Sequence, residues 1–419
     1  MYVEKYKDVT GVFLMLNVLT VNEAIEIIRK NFKPSLGTEN VDLFNALDRC
    51  LAEDIYSDDS IPSFTRSTMD GFAVNSFDTF GASSSQPCYL QVASDIQMGE
   101  VSDTVLNAGE AFKIATGGAL PYGSDAVVMV EETEWLDGHT IGVLKPVAPG
   151  ENVIFKGEDV KEGQKICCKN SIIRPQDLGV LAGIGIMEIP VFNKIKVGII
   201  SSGNEIVAPE VKELQPGKIR DINSYTIYGL VKEMNAEANF YGIVPDEFQM
   251  LKQITEKALA ENQIVVLSGG SSIGTKDLTA KVLGELPGFK QLFHGISIKP
   301  GKPTLAATNG DKLIVGLPGH PVSAMVVFDI IIGSLLRNRP KAIKCTAVMA
   351  VNVASSSGRQ DYVRVKLVEE DGCLKAEPIL GKSGLISTMV DSDGFVVISL
   401  EKEGIAAGEE VEVELYGGR

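Results

Sequence analysis

Histidine is scarce in this chain, and cysteine has no pattern. The three His residues, at 139, 294 and 320, never fall in H-x-x-x-H spacing, which argues against a His-built catalytic metal site. The six Cys residues, at 50, 88, 167, 168, 345 and 373, include no C-x-x-C pair. That excludes a Cys-rich zinc module and offers no disulfide framework; a reducing cytoplasm is the simplest setting. The longest apolar run, Val322 to Leu336, is interrupted by Asp329 and is too short to cross a bilayer. Lys5 and Lys7 precede the apolar stretch Val12 to Leu16 in a weak likeness of a signal peptide, but no A-x-A site follows. Met15 is an alternative start that would make residues 1–14 an extension. Positive charge is also short. Lys plus Arg total 39 against 55 Asp plus Glu, a formal net charge of −16. Neither nucleic acid nor an anionic membrane is therefore an expected partner. Any anionic ligand must be held by local cations and backbone N–H groups.

What is present is an ordinary globular composition, 44% hydrophobic and 22% charged over 419 residues, enough for about three domains. Thr20-Val-Asn-Glu23 is a capping box opening a helix with Ala24, Ile27, Ile28 and Phe32 on one face. Residues 40–56 continue with apolar positions at Val41, Leu43, Ala46 and Leu51. From about 57 to 190, short apolar stretches such as Phe112–Ala115, Ala126–Val130 and Ile141–Leu144 read as strands of small β-rich modules. Pro175–Ala182 reads as a short helix with Pro in its first turn.

Between 195 and 337 the texture becomes regular. Strands are expected at Ile195–Ile200, Phe240–Val244, Ile264–Leu267 and Leu313–Leu317. Helices are expected at Ser224–Met234, Asp246–Ala260, around Leu278–Leu283, and at Val322–Leu336. This alternation predicts a parallel sheet with right-handed crossovers. After Arg339-Pro340 the strand-like runs Cys345–Val353, Tyr362–Val368, Phe395–Leu400 and Glu410–Leu415 predict a C-terminal β domain.

Ligands of open α/β sheets bind beyond the C-terminal strand ends. Three loops are expected there: Ser201–Glu205, Ser268–Gly274 leading into Thr275-Lys-Asp277, and Leu317–Ser323. In the second, Gly269 and Gly270 permit close backbone approach, Ser271, Ser272 and Thr275 supply hydroxyls, and the following helix start suits phosphate. It is neither a Walker A loop nor G-x-G-x-x-G; a plain Gly-rich turn is the alternative. Lys299-Pro-Gly-Lys-Pro303 sets two cations on a rigid turn able to meet a polyanion, or is a solvated turn between strands. Asp221, Asp246 and Asp277 either begin helices as N-caps or hold Mg²⁺ beside phosphates. Glu205 is either a site carboxylate or a solvated one.

Taken together, these segments resemble the molybdopterin molybdenumtransferases, the MoeA family that includes the gephyrin enzymatic domain. The resemblance rests on Ser67–Val74, Thr116–Pro121 with Asp125–Met129, Lys156–Asp159, Ser202–Glu205, Asp221–Asn223, Ser268–Asp277, Ile298–Pro303 and Gly316–Ala324. They occur in the family's order and span about residues 15–419. The resemblance implies α/β plus β architecture in an elongated multidomain chain. Its parts would be an N-terminal domain from 15–56 and 155–190, a β-rich lobe inserted at 57–154, a MogA/MoaB-like three-layer α/β domain at 191–339, and a C-terminal β-barrel at 340–419. It also implies a cytoplasmic homodimer that inserts molybdate into the dithiolene of adenylated molybdopterin, releasing AMP with the help of Mg²⁺. Possible protein partners are molybdopterin adenylyltransferase and apo-molybdoenzymes.

By position, Ser268, Gly269, Gly270, Ser271 and Ser272 would cradle phosphates, and Lys299 and Lys302 would neutralise them. Asp246 and Asp277 would act on Mg²⁺ or water, Glu205 would position substrate, and Pro318 and Pro321 would shape the molybdate pocket. Thr65, Asp70, Thr116 and Asp159 would come from the second subunit. Four positions depart from common family residues: Thr65, Ile154, Gly295 and His320. These departures keep a tungstate-preferring version of the reaction open. A non-catalytic scaffold with the same fold, and an adenylyltransferase or nucleotide pyrophosphatase sharing only the α/β domain, are the other readings.

Overall fold

The computed structural model describes residues 2–7, 13–269, 278–336, 344–370 and 372–416. The chain divides into two compact units, residues 38–192 and residues 1–37 with 193–419.

Unit 38–192 is β-rich. Its six-stranded sheet runs Thr133–Trp135, Thr140–Val143, Cys88–Ile96, Glu110–Ile114, Gly71–Val74, Ala126–Met129. Phe72, Val128 and Ile141 are buried on one face of this sheet, Phe112, Ile114 and Val127 on the other. A separate core of Leu43, Leu51, Ile173, Leu181 and Ile189 lies under the antiparallel pair Thr38–Asp42 and Glu188–Phe192 and the helix Pro175–Gly183.

In the other unit, the sheet order is Glu237–Val244, Lys196–Ser202, Ile264–Ser268, Leu313–Leu317, Leu305–Thr308, Lys290–His294. Side chains alternate across the strands. Ile199, Val266 and Val315 face a layer that includes Ile227, Val231, Val322 and Val326. Ile200, Val265 and Leu267 face Leu251, Ala258, Val282 and Leu283. Helices Asn223–Glu233 and Pro321–Val327 thus cover one face, and Phe248–Glu261 and Leu278–Glu285 the other, which is the three-layer arrangement. Each fully buried Ile or Leu contributes roughly 1.5–3 kcal/mol. The helix Val21–Asn31 joins the first layer through Val21, Ala24 and Ile28, and Thr20 and Glu23 form both bonds of the capping box.

Two expectations need correction. The first four strands are parallel, but Leu305–Thr308 and Lys290–His294 run antiparallel, so the sheet is mixed. Leu305-Ala-Ala-Thr308 is wholly buried yet made of small residues, and Lys290–His294 is polar enough to read as a loop. The expected single helix Val322–Leu336 widens instead into a π-helical turn at Phe328–Ile332 between Pro321–Val327 and Gly333–Leu336. Three successive β-branched residues, Ile330 to Ile332, crowd that turn.

The C-terminal strands close into a five-stranded barrel. Gln360–Glu370 pairs with Cys373–Pro378 on one side and Gly394–Ile398 on the other, and Lys344–Met349 and Glu410–Leu415 complete the ring. Cys373–Pro378 is a further strand that has only one buried residue, Ala376, and so carries little strand signal in the sequence. Among the described residues, no helix is long and apolar enough to cross a membrane, and all six cysteines are free thiols.

Candidate functional site

The parallel strands place three loops side by side. Ser201 is in register with Ser268, and Ser268 with Leu317. Ser268 and Leu317 end their strands and Ser202, one residue past this row, ends the first, so the loops that follow share one edge. Gly269 has φ +110°, and a Cβ there would lie 2.0 Å from the Ser202 carbonyl oxygen. Only glycine fits without a backbone shift. Asn223, in the first turn of its helix, donates from Nδ2 to Ser268 Oγ at 2.6 Å and to the Gly319 carbonyl at 2.9 Å. Among the described residues its Oδ1 is buried without a hydrogen-bond partner, as are Ser201 Oγ, Ser202 Oγ, Ser224 Oγ and Asp221 Oδ2. Buried polar atoms are nearly always satisfied, so this edge has polar capacity to spare.

The acids fall into place differently. Asp221 Oδ1 accepts the Ser224 N–H at 3.2 Å, as a capping carboxylate does. Asp246 is not an N-cap: that position is Glu247, and the helix starts at Phe248. Instead Asp246 faces the first loop, taking the Asn204 N–H on Oδ2 at 3.4 Å while its own N–H donates to Asn204 Oδ1 at 3.1 Å. Glu205 is exposed and its carboxylate lies over Gly203. Gly270, Ser271, Ser272 and Asp277 lie outside the described residues.

A cavity of about 720 Å³ opens between the α/β layers and the barrel, reaching the third loop through Pro318, His320 and Ser323. Lys299, Lys302, Arg359, Arg364 and Lys382 line it, with Asp361 the one acid among its described lining residues. Ser268, Gly269 and Pro321 are not part of the lining, although Gly319 lies against Gly269. The Lys299–Pro303 segment is no solvated turn. Ile298–Lys299 pairs with the barrel strand at Gln360–Asp361, and Gly301, at φ +119°, has Val327 where a Cβ would go. Arg364 is buried; its Nη2 donates to the Gly381 carbonyl at 3.1 Å, and its Nη1 has no partner. Burial holds its guanidinium below the ordinary arginine value. His320 Nδ1 lies 2.9 Å from Ser383 Oγ.

In unit 38–192, Asp70 and Thr116 are brought together. Asp70 Oδ1 accepts the Thr116 N–H at 2.7 Å and its hydroxyl at 3.0 Å, and the two bonds lower the Asp70 pKa, the backbone bond most. The Thr65 carbonyl accepts the Leu120 N–H at 3.0 Å and Thr65 Oγ1 the Lys156 N–H at 3.2 Å. Asp159 is exposed, with its N–H donating to the Ile61 carbonyl at 3.1 Å.

Residues 19–185 match the family model of the MoeA N-terminal region (domain I and II). Residues 198–338 match one described as "Probable molybdopterin binding domain", and residues 346–416 the MoeA C-terminal region (domain IV). A molybdopterin molybdenumtransferase of Bacillus subtilis is 32% identical, covering 95% of this chain and 94% of its own. The Haemophilus influenzae protein of the same name is 32% identical over 95% and 99%. The crystal structure of a molybdopterin biosynthesis MoeA protein from Pyrococcus horikoshii OT3 superposes with TM-score 0.82 at 33% identity, over 96% of this chain and 100% of that one. The chain belongs to the MoeA family. As a molybdopterin molybdenumtransferase it serves molybdenum cofactor biosynthesis.

Against the MoeA-family expectation, sequence reasoning missed several residues of the site. Asn223 stands in the sequence within the Asp221–Asn223 motif with no role assigned; its burial in the first turn of a helix beside the Gly/Ser loop is given by the fold. Arg359 immediately precedes the strand Gln360–Glu370 that carries Asp361, and its Nε donates to Asp361 Oδ1 at 2.9 Å; nothing local in the sequence marks the pair. Arg364, Lys382 and Ser383 lie in the barrel, where nothing local marks them as cavity residues.

Proposed function

We propose that the chain inserts molybdate into the dithiolene of adenylated molybdopterin and releases AMP, with Mg²⁺ assisting. The cavity carries this reading. Five cations line it, Lys299, Lys302, Arg359, Arg364 and Lys382, in a chain whose formal net charge is −16. Such a concentration of positive charge against an acidic background suits a doubly charged oxyanion. Pro318 lines the cavity and the third loop carries Pro321 at its helix start, so this loop would shape the oxyanion's approach.

The adjoining strand edge suits the phosphates. Ser268 to Ser272 would cradle them, and Lys299 and Lys302 would reduce their charge. Asp246 and Asp277 would hold Mg²⁺. The oxygen donors fit, since Mg²⁺ takes one or two carboxylates plus phosphate and water, and Asp221 Oδ2 and Asn223 Oδ1 offer further unpartnered oxygens at this edge. When bound, the ion would neutralise phosphate charge as AMP departs. Asn204 fixes the direction of Asp246, and Glu205 would position substrate at the first loop.

In a homodimer, Thr65, Asp70, Thr116 and Asp159 of a second copy would complete the cleft. Molybdopterin adenylyltransferase would supply the substrate, and apo-molybdoenzymes would receive the product. The domain division proposed is 15–56 with 155–190, 57–154, 191–339 and 340–419.

The test is incubation with adenylated molybdopterin, Mg²⁺ and either molybdate or tungstate, following AMP. Release with molybdate is expected. Release with tungstate alone would change the oxyanion, and release with neither would leave only a scaffold.

A further inference from the structure

A cavity built to attract an anion contains a buried acid. Asp361 is 3% exposed. Its Oδ1 accepts Arg359 Nε at 2.9 Å and its Oδ2 accepts Lys299 Nζ at 3.2 Å. Both carboxylate oxygens are thus occupied by cavity cations, one from each wall. The backbone holds it in place: Lys299 is in register with Asp361, and the Gln360 N–H donates to the Ser297 carbonyl at 2.9 Å. The two cations are freer than the acid. Their side chains are 55% and 38% exposed, against 4% for the Asp361 side chain.

A buried ion pair is weak evidence of stability, because desolvation offsets the attraction. The acid also opposes the cavity's own purpose, since an entering oxyanion meets a fixed negative charge and must share Lys299 and Arg359 with it. Like charge nearby lowers affinity for the anion. For a carrier of oxyanion that has to hand it on, this is useful. Tight binding of the ground state, without equal gain in the transition state, slows the chemical step.

We propose that Asp361 is a positioning residue, an internal counter-ion. It keeps Lys299 and Arg359 aimed over the cavity and holds affinity for a tetrahedral dianion down, so that the bound oxyanion stays transferable. The proposal rests on the oxyanion-transfer reading above.

Two variants test it on the full chain. Asp361→Asn keeps the volume and an acceptor for Arg359 but removes the charge. Asp361→Ser removes the charge with a smaller side chain, so one misfolded variant does not end the test. Titration calorimetry with molybdate at two salt concentrations reads affinity, and AMP release reads turnover. The expected result is a Kd for molybdate lower by about tenfold, with steeper salt dependence, and a KM for molybdate and a kcat that fall together. A merely structural role would not sharpen binding. Unchanged or weaker binding in folded variants, while the wild-type chain binds molybdate, overturns this proposal alone. Unfolding of both variants also overturns it, by making the carboxylate a brace. No binding by the wild-type chain overturns the oxyanion reading and this proposal with it.

Discussion

The Asn223 amide donates to Ser268 Oγ at 2.6 Å, and the same nitrogen reaches the Gly319 carbonyl. One side chain on a helix thus ties the ends of two neighbouring parallel strands. The spacing of the phosphate-side loop from the cavity-side loop depends on this link.

Asn223→Ala should therefore loosen both loops at once. Two hydrogen bonds are lost and the buried Ser268 hydroxyl loses a partner, which costs about 1–3 kcal/mol. The expected result is a modest fall in Tm with a larger loss of adenylated-molybdopterin affinity. Calorimetry and ligand titration check it; a fall in Tm with unaltered affinity would make Asn223 a scaffold residue only.

Gly269→Ala forces a side chain into a left-handed φ and against the Ser202 carbonyl. Strain at one such position costs about 1–3 kcal/mol, and the contact adds to it. AMP release should be lost even where the variant remains folded by circular dichroism. An active variant would show that the strand-edge backbone can shift without harm.

Asp70 is held below the ordinary carboxylate pKa by the Thr116 N–H first and the Thr116 hydroxyl second. Its folded pKa is depressed, so its contribution is fully present above the unfolded value of about 3.9 and is lost as pH falls through the folded value. Asp70→Asn should lower the unfolding midpoint near neutral pH, and the two curves should converge on acidification below pH about 4. A difference that persists unchanged in acid would mean the link does not depend on the charge.

Much of this was legible in the sequence because the signals were local. The alternating apolar runs around Ile199 and Val266 gave the parallel strands, and the Gly/Ser and Pro-Gly clusters gave the loops at their ends. Ser268, Gly269, Lys299 and Pro318 follow from that placement. The antiparallel pair escaped because Leu305–Thr308 owes its burial to neighbours rather than to large side chains. The acid at the cavity escaped for a different reason. Asp361 lies 62 residues after Lys299, and only the closing of the barrel strand against Ile298–Lys299 brings the two together. Of the two readings of Asp246, the capping one fails although an acid before a helix usually caps it: Glu247 holds the N-cap position and the neighbouring loop claims the Asp246 carboxylate.

The circular pairing of the last domain has a consequence for association. Each of its five ring strands has a neighbour on both sides, but only over part of its length: Gln360–Glu370 meets Cys373–Pro378 from Val365 onward, and Ile298–Lys299 takes the flank left open at Gln360–Asp361. Closure shortens the ladder that another backbone could extend. At Gln360–Asp361 the chain has already used it on itself, so that stretch of edge fastens the barrel to the α/β layers.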